Sequence, residues 1–541
     1  MEINPYDFVN IDNTQFIKDI NENIYVDKTL IIEKLNSLIN TRKNKICVSR
    51  PRRFGKTTTT NLLTAYYSCG CDSRDLFTKT KLSKINNWDK YLNKFNVISL
   101  DIQEINGIAN SNNKDLSKQI EELVNKELVE QFPDNKELDV SRALALNILS
   151  VYKATKKQFI MILDEYDVLV RAKKNDKVLD NYLELLNTLF KGRAMDNAFA
   201  LVYLTGIFPI IKDTFQSKLN NFEESSILSP DIFSGLIGFS EDEVKELCDK
   251  YDMNFEECKA WYDGYKVGEN NSIYNPKSVI KAIENHKFSD YWNITGSFES
   301  ISDYLQFNID GIYDDVCSMI RDNNKVVVNV SDFLNRIDNL KTKDDIFTYL
   351  IHIGYLAYDE GQKVCYIPNN EIRKEWVKAL VNIHDLQHFY TLMKASEAIF
   401  DGILNLQSLV VSTNLDIIHH STGDVNSYGN EAALHTSLIK SLTYARDFYD
   451  VFNEVSSGNG KADIVFIPKN NYSTYPTLIF ELKVDESADK ALKQIHDRNY
   501  PYNIDSEYKK NMILIGINYD RKTNKHECVM GRYKKENLHV V

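Results

Sequence analysis

KICVSRPRRFGKTTTTNLLTAYY, residues 45–67, decides the fold of the N-terminal half. Ile46 to Ser49 reads as a short buried strand, and a helix follows in which Leu62, Leu63 and Tyr66 recur at helical spacing. Between them stands RPRRFGKT. In the context strand, loop, G-K-T, helix, backbone N–H groups of the loop and of the helix N-terminus wrap phosphate. Arg53, Phe54, Gly55, Lys56, Thr57 and Thr58 are therefore the expected nucleotide-binding residues. Lys56 would reach the β- and γ-phosphates, and the Thr57 hydroxyl would ligate Mg2+. In the common spacing G-x-x-x-x-G-K-[ST] the first glycine falls at Arg50, so the loop must take a different path to accommodate a side chain. Arg50, Arg52 and Arg53 also bring charge near the phosphates.

FIMILDEYD, residues 159–167, is the second element of the same site. Five apolar residues, Phe159 to Leu163, read as a strand buried on both faces. The strand ends in Asp164 and Glu165, at the carboxyl edge where open α/β sheets bind ligands. Asp164 would hold Mg2+ through water, and Glu165 would polarise the attacking water. Val97 to Asp101 and Ala200 to Thr205 read as further strands of this sheet, with Thr205 a polar strand-end group available to sense the γ-phosphate. Ser240 followed by Glu243 is a capping box before a helix.

The chain has 541 residues, enough for three to four domains, and 43% apolar residues, enough for real cores. A net charge of -12 argues against a surface basic all over, but leaves a local basic groove open. Its start shows no basic and apolar leader, and no apolar run is long enough to span a bilayer. The eight cysteines are scattered, Cys69 and Cys71 without a second pair, and read as reduced thiols. The expectation is a soluble intracellular protein with no membrane partner.

In order along the chain stand YVDKT (Tyr25 to Thr29), RPRRFGKT, LDEYD, YLTGIF, LNNF, GFSEDEV, WYDGYKV and YNPKSV. This series, over about residues 7 to 290, resembles the AAA-ATPase-like family found fused to a C-terminal nuclease-like domain. RPRRFGK is that family's own form of the phosphate loop. The resemblance implies ATP binding through Lys56 and Thr57, with Asp164 and Glu165 as the acidic pair. It leaves an arginine finger unassigned; Arg193 is a candidate beside its reading as a surface charge.

Residues 236 to 300 read as a helical lid, with Trp261, Tyr262, Tyr265, Tyr274, Tyr291 and Trp292 as packing surface rather than a base-stacking platform. Further on, a helix is followed by Leu356 to Tyr358, an Asp-Glu-Gly turn and Val364 to Ile367. That resembles the winged-helix element following many P-loop ATPase cores; with few basic residues it reads as a spacer or signal relay. His384 and His388, and His419 with His420, read as surface pairs without further ligands.

From about residue 428 a second constellation begins. NEAALHTSLIKSLTYARDF reads as an amphipathic helix that places Glu431 near its buried side. A hairpin follows, with Asp463 at the start of its second strand and Glu454 as an alternative carboxylate. In TLIFELKV, alternation puts Glu481 and Lys483 on one face and Phe480 and Leu482 on the other. An acid and a lysine on an otherwise apolar strand are costly unless they have partners. Gln494 lies on the next helix, and MILIGINY is a further strand. This order resembles the PD-(D/E)XK nuclease superfamily over about 110 residues, with Ala462 where the name motif has proline. On that resemblance Asp463 and Glu481, with Glu431 as a third ligand, would bind Mg2+ or Mn2+. Lys483 would orient the attacking water and Gln494 the scissile strand.

The expected fold is α/β: a P-loop NTPase parallel sheet with a helical lid and a winged-helix-like middle, then a restriction-endonuclease-like α/β domain. The expected divisions are 1–235, 236–300, 301–400 and 401–541. The expected function is ATP binding and hydrolysis coupled to metal-dependent hydrolysis of nucleic acid, DNA in the first instance. The alternative is a nucleotide-dependent assembly switch, self-associating with ATP, whose C-terminal domain only binds.

Overall fold

A computed structural model describes residues 7–171, 176–210, 219–229, 232–268, 270–292, 309–335, 340–381, 387–421, 431–457, 460–469, 472–498, 511–533 and 539–540. The chain divides into two compact units, one of residues 1–292, 309–311 and 325–372, the other of residues 293–308, 312–324 and 373–541.

The first unit is built on five parallel strands: β1 (Lys45–Ser49), β2 (Asn96–Asp101), β3 (Phe159–Asp164), β4 (Phe199–Gly206) and β5 (Glu223–Ser225), in the order β2-β3-β4-β1-β5. Every residue of β1, β3 and β4 is buried, as expected of strands covered on both faces. Phe159, Met161, Val202 and Leu204 pack with Leu144, Ile148 and Leu186 from the covering helices. β4 lies between β1 and β3, pairing Val48 with Thr205 and Leu163 with Leu204. The phosphate loop after β1 and the acids ending β3 are thus two strand spacings apart, roughly 10 Å. The turn into the helix after the loop brings Thr57 back across that gap to Asp164.

The lid follows, with β6 (Phe239–Ser240), β7 (Tyr265–Val267) and β8 (Asn270–Tyr274) in one small sheet and helices Glu241–Lys250, Phe255–Tyr262 and Pro276–Glu284. The capping box forms: Ser240 Oγ accepts from Glu243 N, and the Glu243 carboxylate accepts from Ser240 N. Tyr262, Tyr265, Tyr274 and Trp292 are core residues. Ile24 from the N-terminal segment joins the lid's own core, and Val26 packs against it. The helix-and-hairpin element is also present: helix Lys343–Ile353, then β10 (Ala357–Asp359) antiparallel to β11 (Val364–Tyr366), which also pairs with β9 (Val326–Val327).

The second unit carries a six-stranded mixed sheet in sequence order: β12 (Tyr449–Ser457), β13 (Gly460–Pro468), β14 (Thr477–Val484), β15 (Met512–Asp520), β16 (Lys525–Arg532) and β17 (His539–Val540). Only β14 and β15 are parallel, joined across helix Ala488–Asp497. That helix lays Ala488, Ala491, Leu492 and Ile495 on the sheet so closely that a Cβ on Gly516 of β15 would come 2.3 Å from the Ala488 carbonyl oxygen.

His384 and the side chains of His388 and Glu454 lie outside the described residues. His419 is buried and stacks on Tyr519; burial pushes it down to about 4, so it is neutral. All eight cysteines are free thiols. Among the described residues no helix is long and apolar enough to cross a membrane.

Candidate functional sites

Residues 50–55 form the loop between β1 and the helix Lys56–Tyr67, the loop expected to hold phosphate. Arg50, where the common pattern has glycine, is buried: its Nη1 donates to the carbonyls of Ser49 (2.8 Å) and Ser225 (3.0 Å), and Nη2 to Ser225 Oγ (3.2 Å). The guanidinium thus clamps the loop to edge strand β5. Pro51 abuts Gly354 after the helix Lys343–Ile353. Arg53, at φ +69°, donates from Nη1 to the Tyr291 carbonyl (2.7 Å). The Phe54 ring packs edge-on to Tyr265 (5.3 Å), and its carbonyl accepts from Gly238 N (3.1 Å). Gly55, at φ +84°, turns the chain into helix Lys56–Tyr67, a conformation open to glycine.

Lys56 is buried and folds onto its own loop, donating to the carbonyls of Arg50 (3.3 Å) and Pro51 (3.2 Å), with Glu165 Oε1 3.8 Å away. Burial pushes its ammonium below the ordinary lysine range, against the pull of Glu165 and Asp164. Thr57 Oγ1 donates to Asp164 Oδ2 (2.7 Å), joining the loop to the end of β3. Burial raises Asp164 to about 6 despite that bond. Thr57 and Thr58 lie exposed at the start of the helix.

Beside this helix lies a cavity of about 150 Å³. Ile24, Val26, Leu62, Ile237, Phe239 and Ile280 give it apolar walls, Gly55 and Thr58 border the loop side, and Asp19 and Glu22 are polar lining. Lys28, also in the lining, donates to the Gly235 carbonyl (3.0 Å) and to Glu243 (2.5 Å).

In the second unit the expected residues converge. Glu481 on β14 is buried, and its Oε1 accepts hydrogen bonds from Lys483 Nζ (3.3 Å) and from Gln494 Nε2. Lys483 Nζ also donates to the Leu482 carbonyl (3.1 Å) and lies 3.5 Å from Glu431 Oε1. Asp463 on β13 accepts from Leu482 N (2.8 Å). Burial raises the Asp463 carboxyl, with the Leu482 amide and Lys483 opposing. Burial works against the charge on Lys483, but Glu481 and Glu431 outweigh it and hold its ammonium above the usual range.

The model of the family described as "Predicted AAA-ATPase" matches residues 8–216, and that of the PD-(D/E)XK nuclease superfamily matches residues 429–528. The chain carries an AAA-ATPase-like domain and a PD-(D/E)XK nuclease superfamily domain. No curated protein matches the sequence. Among solved structures, the Aeropyrum pernix ORC2 protein in ADPNP–ADP complexes is 9% identical, with 67% of this chain and 96% of that chain covered at a TM-score of 0.34. Replication initiator DnaA bound to AMPPCP and single-stranded DNA is 11% identical, with 83% and 100% covered at 0.24. AMPPCP-bound DnaA from Aquifex aeolicus is 10% identical, with 77% and 92% covered at 0.21.

Sequence reading missed several residues of the ATPase-like domain. Asp167, the last residue of LDEYD, is fully buried; its Oδ2 accepts from the amides of Ile207 (3.1 Å) and Phe208 (2.9 Å) just past β4. Arg171, four residues on, lies with Nε 3.3 Å from that same oxygen and bonds Glu165 through Nη2. The i,i+4 spacing was the available signal. Arg193 begins the short helix leading into β4, at the sheet edge opposite the loop and roughly 26 Å away by strand rise. It does not belong to the phosphate site of its own chain. The cavity walls gave no sequence signal beyond YVDKT. In the nuclease-like domain, His435 lies one turn after Glu431 with Nε2 3.3 Å from the Asp463 carbonyl.

Among the described residues no three acidic, histidine or cysteine side chains form a ready-made metal cluster. The donor set nevertheless suits a hard divalent cation: the carboxylates of Asp463 and Glu481 and the Leu482 carbonyl. Lys483 now supplies the positive charge at Glu481, Glu431 and the Leu482 carbonyl.

Proposed function

We propose that this chain binds and hydrolyses ATP in its N-terminal unit and cleaves phosphodiester bonds of DNA in its C-terminal unit. The observation that carries the reading is the convergence of Glu431, Asp463, Glu481, Lys483 and Gln494, drawn from four separate elements, around the end of β14.

In the ATPase-like domain the cavity would take the base, and the amides after Gly55 would take the phosphates. Lys56 would leave its loop carbonyls for the β- and γ-phosphates. Thr57 and Asp164, already hydrogen-bonded, would share Mg2+, directly and through water. Glu165 would orient the attacking water. In the nuclease-like domain Asp463, Glu481 and the Leu482 carbonyl would hold Mg2+ or Mn2+, with Glu431 at the rim. When bound, the metal lowers the pKa of its water and offsets charge on the phosphate. Lys483 would turn to the attacking water, and Gln494 would keep Glu481 oriented. The protein acts inside the cell on this reading.

The test is a cleavage panel of duplex, single-stranded and branched DNA and RNA with Mg2+ or Mn2+, with and without ATP. Wild-type protein should cut DNA, and Asp463→Ala and Lys483→Ala should lose at least about a hundredfold. A wild-type protein that binds ATP but cuts nothing sinks the nuclease reading. The grip of Lys483 on both Glu481 and Glu431 favours a second reading, a binding-only domain under a nucleotide-dependent assembly switch. That reading predicts ATP-dependent self-association without cleavage.

A further inference from the structure

Glu165 is held in an unusual way. It stands at the end of β3 with φ +50°, a left-handed conformation that is costly for a residue with a side chain. Its carboxylate bonds Arg171 through Oε2, while Oε1 lies 3.8 Å from Lys56. The group expected to orient the attacking water is thus taken up by two cations.

The Arg171 grip is anchored. Nε lies 3.3 Å from Oδ2 of the fully buried Asp167, and that oxygen holds the amides of Ile207 and Phe208 where the chain leaves β4. Arg171 is itself largely buried, with 13% of its side chain exposed. Glu165 is the freer partner: it begins a turn and is 20% exposed.

We propose that Arg171 is a positioning residue that parks Glu165 away from the hydrolytic geometry, a hold that a triphosphate in the loop loosens without abolishing. The proposal rests on the ATP-binding reading and names its control. Phosphate charge draws Lys56 off Glu165, because a triphosphate competes for an ammonium better than one carboxylate does. The same charge competes for the Arg171 guanidinium, held on its far side by Asp167. Both grips on Glu165 weaken when the γ-phosphate is present, but Arg171, still backed by Asp167, holds the carboxylate for most of the ATP-bound time, so its grip limits turnover at saturating ATP. Because Asp167 also holds the backbone after β4, the switch is tied to the strand between the loop and the acidic pair.

The test uses the full chain and its Arg171→Gln and Arg171→Lys variants. Fluorescent mant-ATP with Mg2+ reports binding; steady-state ATP hydrolysis reports kcat and KM; thermal melting reports folding. Arg171→Gln is expected to keep its Kd within about threefold while basal kcat rises about tenfold, the effect of removing one charge-assisted hydrogen bond. Arg171→Lys cannot hold both acids with a fork and should lie between. If Arg171→Gln does not fold, the rise in Arg171→Lys decides. An unchanged or lower kcat with retained binding overturns the proposal; a lower one makes Arg171 a stabiliser of the transferring phosphate. Wild-type protein that binds no mant-ATP overturns the ATP reading itself, and this proposal with it, a failure the binding assay separates from the others.

Discussion

Replacing Arg50 by glycine restores the common G-x-x-x-x-G-K spacing, and the structure predicts that this damages the protein. The guanidinium donates three hydrogen bonds, to the Ser49 and Ser225 carbonyls and to Ser225 Oγ, from a side chain 1% exposed. Each bond to a charged donor contributes roughly 1.5 kcal/mol net. Water re-entering the space recovers part of that, and glycine costs a further 0.5–1 kcal/mol or so in backbone entropy. The expected destabilisation of the N-terminal unit is about 4 kcal/mol, a fall of roughly 6 °C in Tm for a unit of this size. Thermal and denaturant unfolding with and without nucleotide measure it. An Arg50→Gly protein within about 1 kcal/mol of wild type would refute the reasoning, since the clamp on β5 would then carry no load.

Two further outcomes follow from burial. Glu371 is buried and accepts from the Tyr291 amide (2.7 Å); burial raises it to about 7. A carboxyl raised on folding stabilises fully below its unfolded value near 4.5 and loses that contribution as pH climbs through 7. Stability of the N-terminal unit should therefore fall by up to roughly 3 kcal/mol over that window, and Glu371→Gln should flatten the slope in unfolding experiments at pH 5 and 8. In the C-terminal unit, Gly516→Ala would drive a methyl to 2.3 Å from the Ala488 carbonyl oxygen, so a loss of about 2–3 kcal/mol is expected in denaturant melts. A neutral result would mean the helix shifts freely on the sheet.

Much of both sites was legible before any coordinates. The apolar run Phe159 to Leu163 ends in two acids, and the strand is buried along its whole length up to Asp164. Glu481 and Lys483 could be put on one face because strand side chains alternate, and the structure has them 3.3 Å apart. The helix bearing Gln494 announced its apolar face through Ala488, Leu492 and Ile495, which left Gln494 beside it near Glu481. The fate of the loop's arginines was not legible. Arg50 meets a residue 175 positions away and Arg53 one 238 positions away, and no local pattern encodes such partners.

The sequence alone determined the kinds of element and the residues each presents to one edge or face, because periodicity and strand ends are properties of neighbours in the chain. Tertiary structure decided which of those edges meet. The order β2-β3-β4-β1-β5 puts β4 between the loop and the acids and β5 beside β1, where Arg50 reaches Ser225, and Ile24 and Val26 share a cavity wall with Ile237, Phe239 and Ile280. Those contacts depend on the packing of distant segments, which the folded chain fixes only when its whole core has formed.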